Sequence, residues 1–555
     1  MKKTFKFIMA LVITSSTLFY SCETIELEQI DNPNALTTGD VDLLLNSIQL
    51  AYRDNMATHN NFGTNLTRIS YFGGRDYFAG LTGGSLNGNW TRLYSNILIN
   101  SQEIEKVAAA NPEVNLSFHL GASKAMSAHA LLLMVDFIGD IPLSEAINPD
   151  EFPDPKLDPG ASVYTAAISL LDDAAALMQV DGAALPPGLG VDVYYGGDTS
   201  KWLKMINTVK MKAALTTGDI ASFNTIVSGG NFISSSDDDL VFQYGSQLLL
   251  PNTQHPDYFA DYTPSGANRY QSNWLMNQMQ ETNDPRLRYY FYRQASCTPG
   301  ASCQPEGNGE TMSCSLETPP VHYTTGGYTY CFLENGYWGR DHGDDDGTPP
   351  DNFFRTASGV YPAGGLFDDD TFGGVGLGLG GAGAGIEPIL LASYVDFMRA
   401  EAALSGGNPG AAAGFLQSGL EKSIAKVQSF GALDANHDTS FDPDATDVSA
   451  FIADRVADFN TSTGDDRWDV LAQQYWVTMY GGGAEAYNFY RRTGYPTTLQ
   501  PNLEPDPGGF PRSFPYATGA VNANPNIAQK PNQAVQVFWD NNPPSSASGG
   551  FPVAN

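Results

Sequence analysis

Apolar residues recur at helical spacing over several separate stretches of this chain, with long irregular segments between them. Val41, Leu44, Leu45 and Ile48 predict a helix starting near Thr38 or Asp40. Residues 60–90, rich in Gly, Asn, Ser and aromatics, read as long loops. From Trp90 the helical pattern returns with Leu93, Ile97, Leu98 and Ile104. Five further segments mix small and apolar residues at the same spacing: 121–138, 161–178, 201–215, 389–404 and 411–427. A last helical stretch covers 466–491 around Val470, Trp476, Met479 and Tyr487. Alanines such as Ala125, Ala128, Ala167 and Ala402 let helices approach closely. The pattern predicts a mostly α fold of tetratricopeptide-like hairpins with long irregular loops and a few short strands, although no clean period of about 34 residues is visible. The inserts lie near 234–275, 297–388 and 495–555 and are crowded with Gly, Pro, Asp and aromatics. Loops of this length are usually functional or disordered, and the aromatics favour folded, functional ones.

The N-terminus follows a different pattern. Lys2, Lys3 and Lys6 precede an apolar run from Phe7 to Ile13, and a small residue, Ser21, stands before Cys22. This is the layout of a secretory signal peptide over residues 1–21. A cysteine directly after the cut is the lipidation site of a bacterial lipoprotein, so Cys22 is the expected anchor. Phe19 and Tyr20 make the lipobox a loose one. Residues 22–36, with Glu23, Glu26 and Glu28, form a tether, and 37–555 are expected to form a single domain. Past Cys22 no apolar run reaches the ~18 residues of a membrane helix.

Composition narrows the partners. Formal net charge is -32, from 61 acidic and 29 basic residues. Such a surface repels phosphate backbones, which argues against nucleic acid, and it repels anionic polysaccharides unless a basic patch or bound cations intervene. Of the five cysteines, Cys297, Cys303, Cys314 and Cys331 cluster in a Gly/Pro/Thr-rich segment with no Cys-x-x-Cys pair. In an exported chain they read as two disulfides, with the pairing left open.

Enzyme motifs are scarce. There is no nucleophile elbow and no His-Glu-x-x-His, and the seven histidines are scattered. Two carboxylates would suffice for a surface glycosidase, so that reading stays open as a minority view. Gly376 to Gly381 matches G-x-G-x-x-G without the strand before it, and reads as a flexible linker into the helix at 389. Asp434, Asn436 and Asp438 open like a calcium loop, but position six is Thr439 and position twelve is Ala445. They are candidate ligands for a lone structural calcium and not an EF-hand. No other cofactor is expected.

The loops do carry aromatics beside amide, Arg and Asp side chains. They are Tyr71 to Tyr77, Asn87 to Trp90, Arg269 to Trp274 and Tyr337 to His342. A flat ring covers the apolar face of a sugar while amides and charged groups meet its hydroxyls; a peptide would suit the same set. Trp274, Trp338 and Tyr337 are the candidate stacking residues. Arg75, Asp76, Arg340, Asp341 and His342 are the polar candidates, with Tyr77 and Trp90 beside them. The competing reading is that each aromatic anchors its loop in a small core. It is strongest for Trp90, which shares a helix face with Leu93 and Tyr94.

Several stretches together resemble the SusD/RagB nutrient-binding lipoproteins of Bacteroidota-type outer membranes. Asp31 to Ala35 looks like the family's mature N-terminus. Asp136-Phe137-Ile138-Gly139-Asp140-Ile141-Pro142-Leu143-Ser144-Glu145-Ala146 resembles its D-x-x-G-D-x-P-x-S-E-A element, and Lys201 to Asn207 its K-W-x-K-x-x-N helix. Ala400-Glu401-Ala402, Glu485-Ala486-Tyr487 and Arg491 to Pro496 follow in the family's order, as do Phe514 to Tyr516, Asn522 to Pro525 and Val537 to Asp540. Gly339 to Gly343 resembles the Gly-Arg-Asp-His-Gly loop of the SusD-like branch. The resemblance implies a surface lipoprotein of the outer membrane that binds oligosaccharide without cleaving it. It also implies a TonB-dependent transporter of the SusC type as partner, capped like a barrel under a hinged lid. A peptide-binding member of the same family, and a lid without ligand affinity, are the alternatives. The cysteine-rich insert is not expected of every member.

Overall fold

Leu45, Ile48, Tyr52 and Met56 are buried along one side of a 26-residue helix, α1 (Val41–Leu66). The computed structural model describes residues 40–186, 188, 190–298, 313–346, 353–543 and 550–555. The signal peptide, Cys22, the tether and Cys303 lie outside the described residues. Val41 to Asn555 make one compact unit.

The Asn- and Gly-rich run after residue 60, expected in a loop, is instead the last part of α1. Tertiary contacts override its weak helix propensity. A Cβ on Gly63 would come within 2.3 Å of the Gly483 carbonyl oxygen, so only glycine permits this approach. Asn60 donates to Glu387 Oε1 at 2.8 Å and to the Pro388 carbonyl at 3.1 Å. Two short helices, Tyr77–Gly80 and Asn87–Thr91, interrupt the loop that follows.

A π-helical turn, Arg92–Leu98, leads into α2 (Ile99–Ala110). Next comes α3 (Ser117–Ile138), buried almost all round, which stops at Gly139 with φ 100°. Then α4 (Gly160–Met178), α5 (Thr199–Thr216) and α6 (Ile220–Gly229) each pack on the helix before. The Asp198 carboxylate caps α5 by accepting the N–H groups of Ser200 and Lys201. By length and composition α4 would pass as a membrane span, but its apolar side packs against α3 and α5.

The middle of the chain supplies the few short strands. β1 (Leu240–Gln243) is followed by α7 (Pro256–Asp261), α8 (Asn273–Glu281), β2 (Phe291–Tyr292), β3 (Ala357–Ser358) and β4 (Ile386–Leu390). β1 pairs antiparallel with β4, and β2 with β3. The glycine run 376–381 is therefore not a linker straight into a helix. It turns against Tyr258, whose hydroxyl accepts from Gly378 N–H and donates to the Leu379 carbonyl, and then enters β4.

The C-terminal helices are α9 (Ala392–Ser405), α10 (Pro409–Ser429), α11 (Ala445–Thr461), α12 (Asp465–Thr478) and α13 (Ala484–Thr493). α9 and α10 form a hairpin closed by Gly406, Gly407 and Asn408, and α11 and α12 stack on in turn. The stretch 466–491 is thus two helices, separated by a turn in which Gly481 has φ 90°. α11 is absent from the sequence reading; Asp444 and Asp447 cap it reciprocally. The expected mostly α, hairpin-based architecture with long loops is the fold.

Candidate functional site

A cleft of about 410 Å³ opens where α1, α7, β4 and the turn after α12 meet. α1 contributes Asn60, Asn61 and Thr64, and Ile69 and Ser70 follow from the loop beyond it. α7 contributes Pro256 and Asp257, the segment before α8 brings Arg269 and Gln271, and Tyr480 closes one side. From β4 comes Glu387, the one carboxylate in the apolar run Ile386 to Leu390.

The charges of this cleft are settled internally. Burial pushes the Glu387 carboxyl up to about 8, against the opposing Asn60 hydrogen bond, so it keeps its proton at neutral pH. Asp257 behaves oppositely: burial alone would raise it, but the Arg269 guanidinium beside it holds it below the ordinary carboxylate range. Burial takes His255 down to about 4, leaving a neutral ring whose Nδ1 accepts the Asp257 N–H at 3.1 Å. Tyr480 donates to Gln271 Oε1 at 3.2 Å.

Next to the cleft, the same two loops form an aromatic face. Tyr71 follows Ser70, and Tyr270 stands between Arg269 and Gln271. Their half-buried rings meet edge-on with centroids 5.7 Å apart. The Arg340 and Arg355 guanidiniums lie 4.4 and 4.0 Å from the Tyr270 ring centroid. The Tyr71 hydroxyl donates to the Asp344 carbonyl. Exposed Arg75 reaches Asp345, Asp346 and Glu504, and Asp76 caps the helix Tyr77–Gly80.

Most of the other sequence candidates are structural. Trp274 (4% exposed) meets Trp476 edge-on at 5.9 Å, and Trp338 (1% exposed) packs on Cys331 and Cys314. Tyr337 is buried beneath the Arg293 guanidinium. None of the three offers a free face, because α8 and the disulfide region use them as anchors. Asp341 is enclosed by the Cys331 N–H at 2.6 Å, Asn273 and Gln500, and burial carries it to about 6 despite them. His342 Nε2 meets the Tyr77 hydroxyl at 2.8 Å, and burial pushes the ring well below its ordinary value. Arg340 is itself largely buried and holds Asp344 at 3.5 Å. The Gly339–Gly343 loop is thus a packed knot: a Cβ on Gly343 would lie 2.1 Å from Asn502 Oδ1.

Trp90 is half-buried and does line a hollow. With Tyr94, 5.0 Å away centroid to centroid, and Pro142, Pro153 and Ala520 it borders about 540 Å³. Its lining is mostly apolar, with Asn87, Thr91 and Asn524 as the polar side chains, and the Tyr94 hydroxyl donates to the Pro142 carbonyl. Cys314 and Cys331 form a disulfide, and Cys297 is also disulfide-bonded. In the acidic loop, the Asp434 carboxylate accepts the Phe367 and Asn436 N–H groups, and Asp438 accepts that of Ser440. Among the described residues no group of three or more His, Cys, Asp or Glu is placed to hold a metal.

Residues 33–321 match a SusD-like family described as starch-binding and associating with the outer membrane. Residues 387–539 match a second, described as SusD and RagB outer membrane lipoprotein. No curated protein sequence matches the chain. A SusD/RagB family protein from Bacteroides thetaiotaomicron VPI-5482 has a similar fold, with TM-score 0.63 and 19% identity over 91% of this chain and 99% of that one. A chitin-binding protein reaches TM-score 0.62 at 19% identity over 90% and 99% of the two chains. A SusD homologue from Bacteroides uniformis ATCC 8492 reaches 0.60 at 17% identity over 90% and 99%. With more than half its length under the first family description and the fold in agreement, the chain belongs to the SusD/RagB family of outer-membrane lipoproteins.

Proposed function

We propose that this protein captures uncharged oligosaccharides at the cell surface, anchored through Cys22, and delivers them to a TonB-dependent transporter without cleaving them. The observation that carries the reading is the charge balance of the cleft and its aromatic border. Arg269 is matched by Asp257, and Arg75 by Asp345, Asp346 and Glu504. Glu387 is protonated. The other polar groups that line the cleft are neutral, among them Asn60, Asn61, Ser70, Gln271 and Tyr480, and they stand next to half-buried tyrosine rings. Hydroxyl-rich, uncharged rings suit that combination, whereas a uronate or sulfate would need a cation not already matched by carboxylate. Starch, in the description of one matched family, is such a polymer. Several weak contacts of this kind give affinities in the micromolar to millimolar range, which permits release.

The test is calorimetric titration of the protein against neutral oligosaccharides, acidic oligosaccharides and peptides, with product analysis on the same samples. Saturable binding of a neutral oligosaccharide without products is the expected result. Binding confined to peptides or acidic glycans, or the appearance of cleavage products, would overturn the reading.

A further inference from the structure

Asn87, Trp90, Thr91 and Tyr94 fall at positions i, i+3, i+4 and i+7, the spacing that gathers side chains on one helix face. Leu93 and Ile97 beside them are buried in the core, whereas these four line the hollow of about 540 Å³. Their face crosses from the short helix Asn87–Thr91 into the π-helical turn Arg92–Leu98, a rare geometry that recurs at functional sites.

The walls of this hollow are tied to one another. The Tyr94 hydroxyl donates to the Pro142 carbonyl at 2.7 Å. Gly519 N–H donates to Asn87 Oδ1 at 3.3 Å, and Thr518 N–H to the Gly83 carbonyl at 2.9 Å. The Asn524 amide donates to the Pro155 carbonyl at 2.7 Å, which joins the 517–527 wall to the loop that carries Pro153 and Pro155. A ligand entering there meets walls already in place and orders little on binding.

Its chemistry selects the ligand. No charged side chain lines the hollow, and the Trp90 and Tyr94 rings are tilted by 47° to each other. Asn87 Oδ1 is taken by Gly519, but among the described residues nothing accepts from Asn87 Nδ2, Trp90 Nε1 or Thr91 Oγ1. A purely apolar ligand would leave these donors unmatched, and a charged one would find no counter-charge. A neutral sugar ring uses both features, its C–H groups on the aromatic rings and its hydroxyls on the donors.

Position links the hollow to the cleft. Ser85 lines the cleft and Asn87 the hollow, two residues apart, so their backbones lie within about 7 Å. Thr58, also in the cleft, accepts from Arg92 Nη1 at 3.4 Å, and Arg92 directly follows Thr91 of the hollow. The segment from Ser85 to Arg92 is a rim common to both.

We propose that the Trp90–Tyr94 hollow is a second sugar subsite, which takes the rings of a neutral oligosaccharide that extend past the cleft. This rests on the capture reading given above. Short chains then fill the cleft alone, while long ones gain a second, tethered set of contacts and bind more tightly.

The experiment titrates the full-length lipoprotein in detergent with α-1,4- and β-1,4-linked gluco-oligosaccharides, from two-ring to eight-ring members, and with a proline-rich peptide alongside. Wild type is expected to bind the long members of one series about tenfold more tightly than the short ones. Trp90→Ala should abolish that gain and leave short-chain affinity within about twofold. Ala520→Trp, which fills the hollow without removing a ring, should do the same even if Trp90→Ala fails to fold. Tyr71→Ala, beside the cleft, should weaken every length. A length gain that survives in the hollow variants, equal losses at all lengths, or loss of peptide binding alone would overturn the subsite. Long chains bound through the hollow without any short-chain binding would uphold it as a sugar site and overturn the cleft as the place of capture. No binding of any length by wild type would overturn both.

Discussion

Asn60 donates its side-chain amide to Glu387 across 327 positions of sequence, at 2.8 Å. The bond ties the last turns of α1 to β4 and fixes the carboxyl inside the cleft. Glu387 titrates at about 8 in the folded chain against 4.5 for an ordinary glutamate. Between these values the unfolded chain has lost a proton that the folded chain keeps. The associated stability is therefore full below pH 4.5, falls as pH rises, and is lost by about pH 8. Glu401 and Asp341, raised to about 7 and about 6, add to the same slope. The difference between wild type and Glu387→Gln isolates the one group. Melting temperatures measured from pH 5 to 9 should show wild type losing a few kcal/mol relative to the variant, at about 1.4 kcal/mol per pKa unit. Parallel curves would show that Glu387 ionises normally.

Trp274 and Trp338 give the opposite prediction from the one a ligand platform would. Both are buried, so truncation leaves a cavity. Trp274→Ala and Trp338→Ala should each destabilise by about 3–5 kcal/mol. Oligosaccharide affinity of the fraction still folded at low temperature should stay within a few fold. Loss of binding at wild-type stability would restore them as stacking residues.

Helices whose apolar positions recur over several turns, such as α4, α5 and α10, were legible because burial on one face leaves that period in the sequence. The end of α1 was not. Asn60, Asn61 and Gly63 look like loop residues, and only contacts with β4 and the Gly483 turn explain them. α11 was hidden because its buried side consists of Phe451, Ile452 and Phe459, a thin signal behind an acidic capping run. The site was half legible. The loops at 71–77 and 269–271 do form the aromatic face, since local composition marks them. Sequence proximity to Arg and Asp could not separate Tyr71, half-buried at the surface, from Trp338, buried under a disulfide. Glu387 did carry a readable signal: a single carboxylate inside the apolar run 386–390.

The Cys314–Cys331 bridge closes a separation of 17 residues, and Trp338, which lies beyond the closed loop, packs against it. By loop-closure entropy its removal in Cys314→Ser with Cys331→Ser should cost about 3 kcal/mol. Because Trp338 packs directly on the two cysteines, its fluorescence should shift to the red in the variant. An unchanged midpoint in urea would mean that the loop is held by its other contacts, including the Asp341 hydrogen bond to Cys331 N–H.

Tyr71 and Arg75 separate recognition from scaffolding on the face beside the cleft. Arg75 is exposed, and its three carboxylate partners are largely exposed too, so Arg75→Ala should change stability by no more than about 1 kcal/mol. Freed of its cation, the Asp345, Asp346 and Glu504 cluster would repel anionic glycans more strongly and leave neutral ones nearly unaffected. Tyr71 has two roles, its ring at the surface and its hydroxyl on the Asp344 carbonyl. Tyr71→Phe keeps the ring and should bind neutral oligosaccharide within about threefold of wild type. Tyr71→Ala removes the ring and should weaken binding about tenfold, equivalent to about 1.4 kcal/mol. Equal affinity losses in the two variants would assign the effect to the hydroxyl's hold on Asp344, and no loss in either would remove Tyr71 from the ligand face.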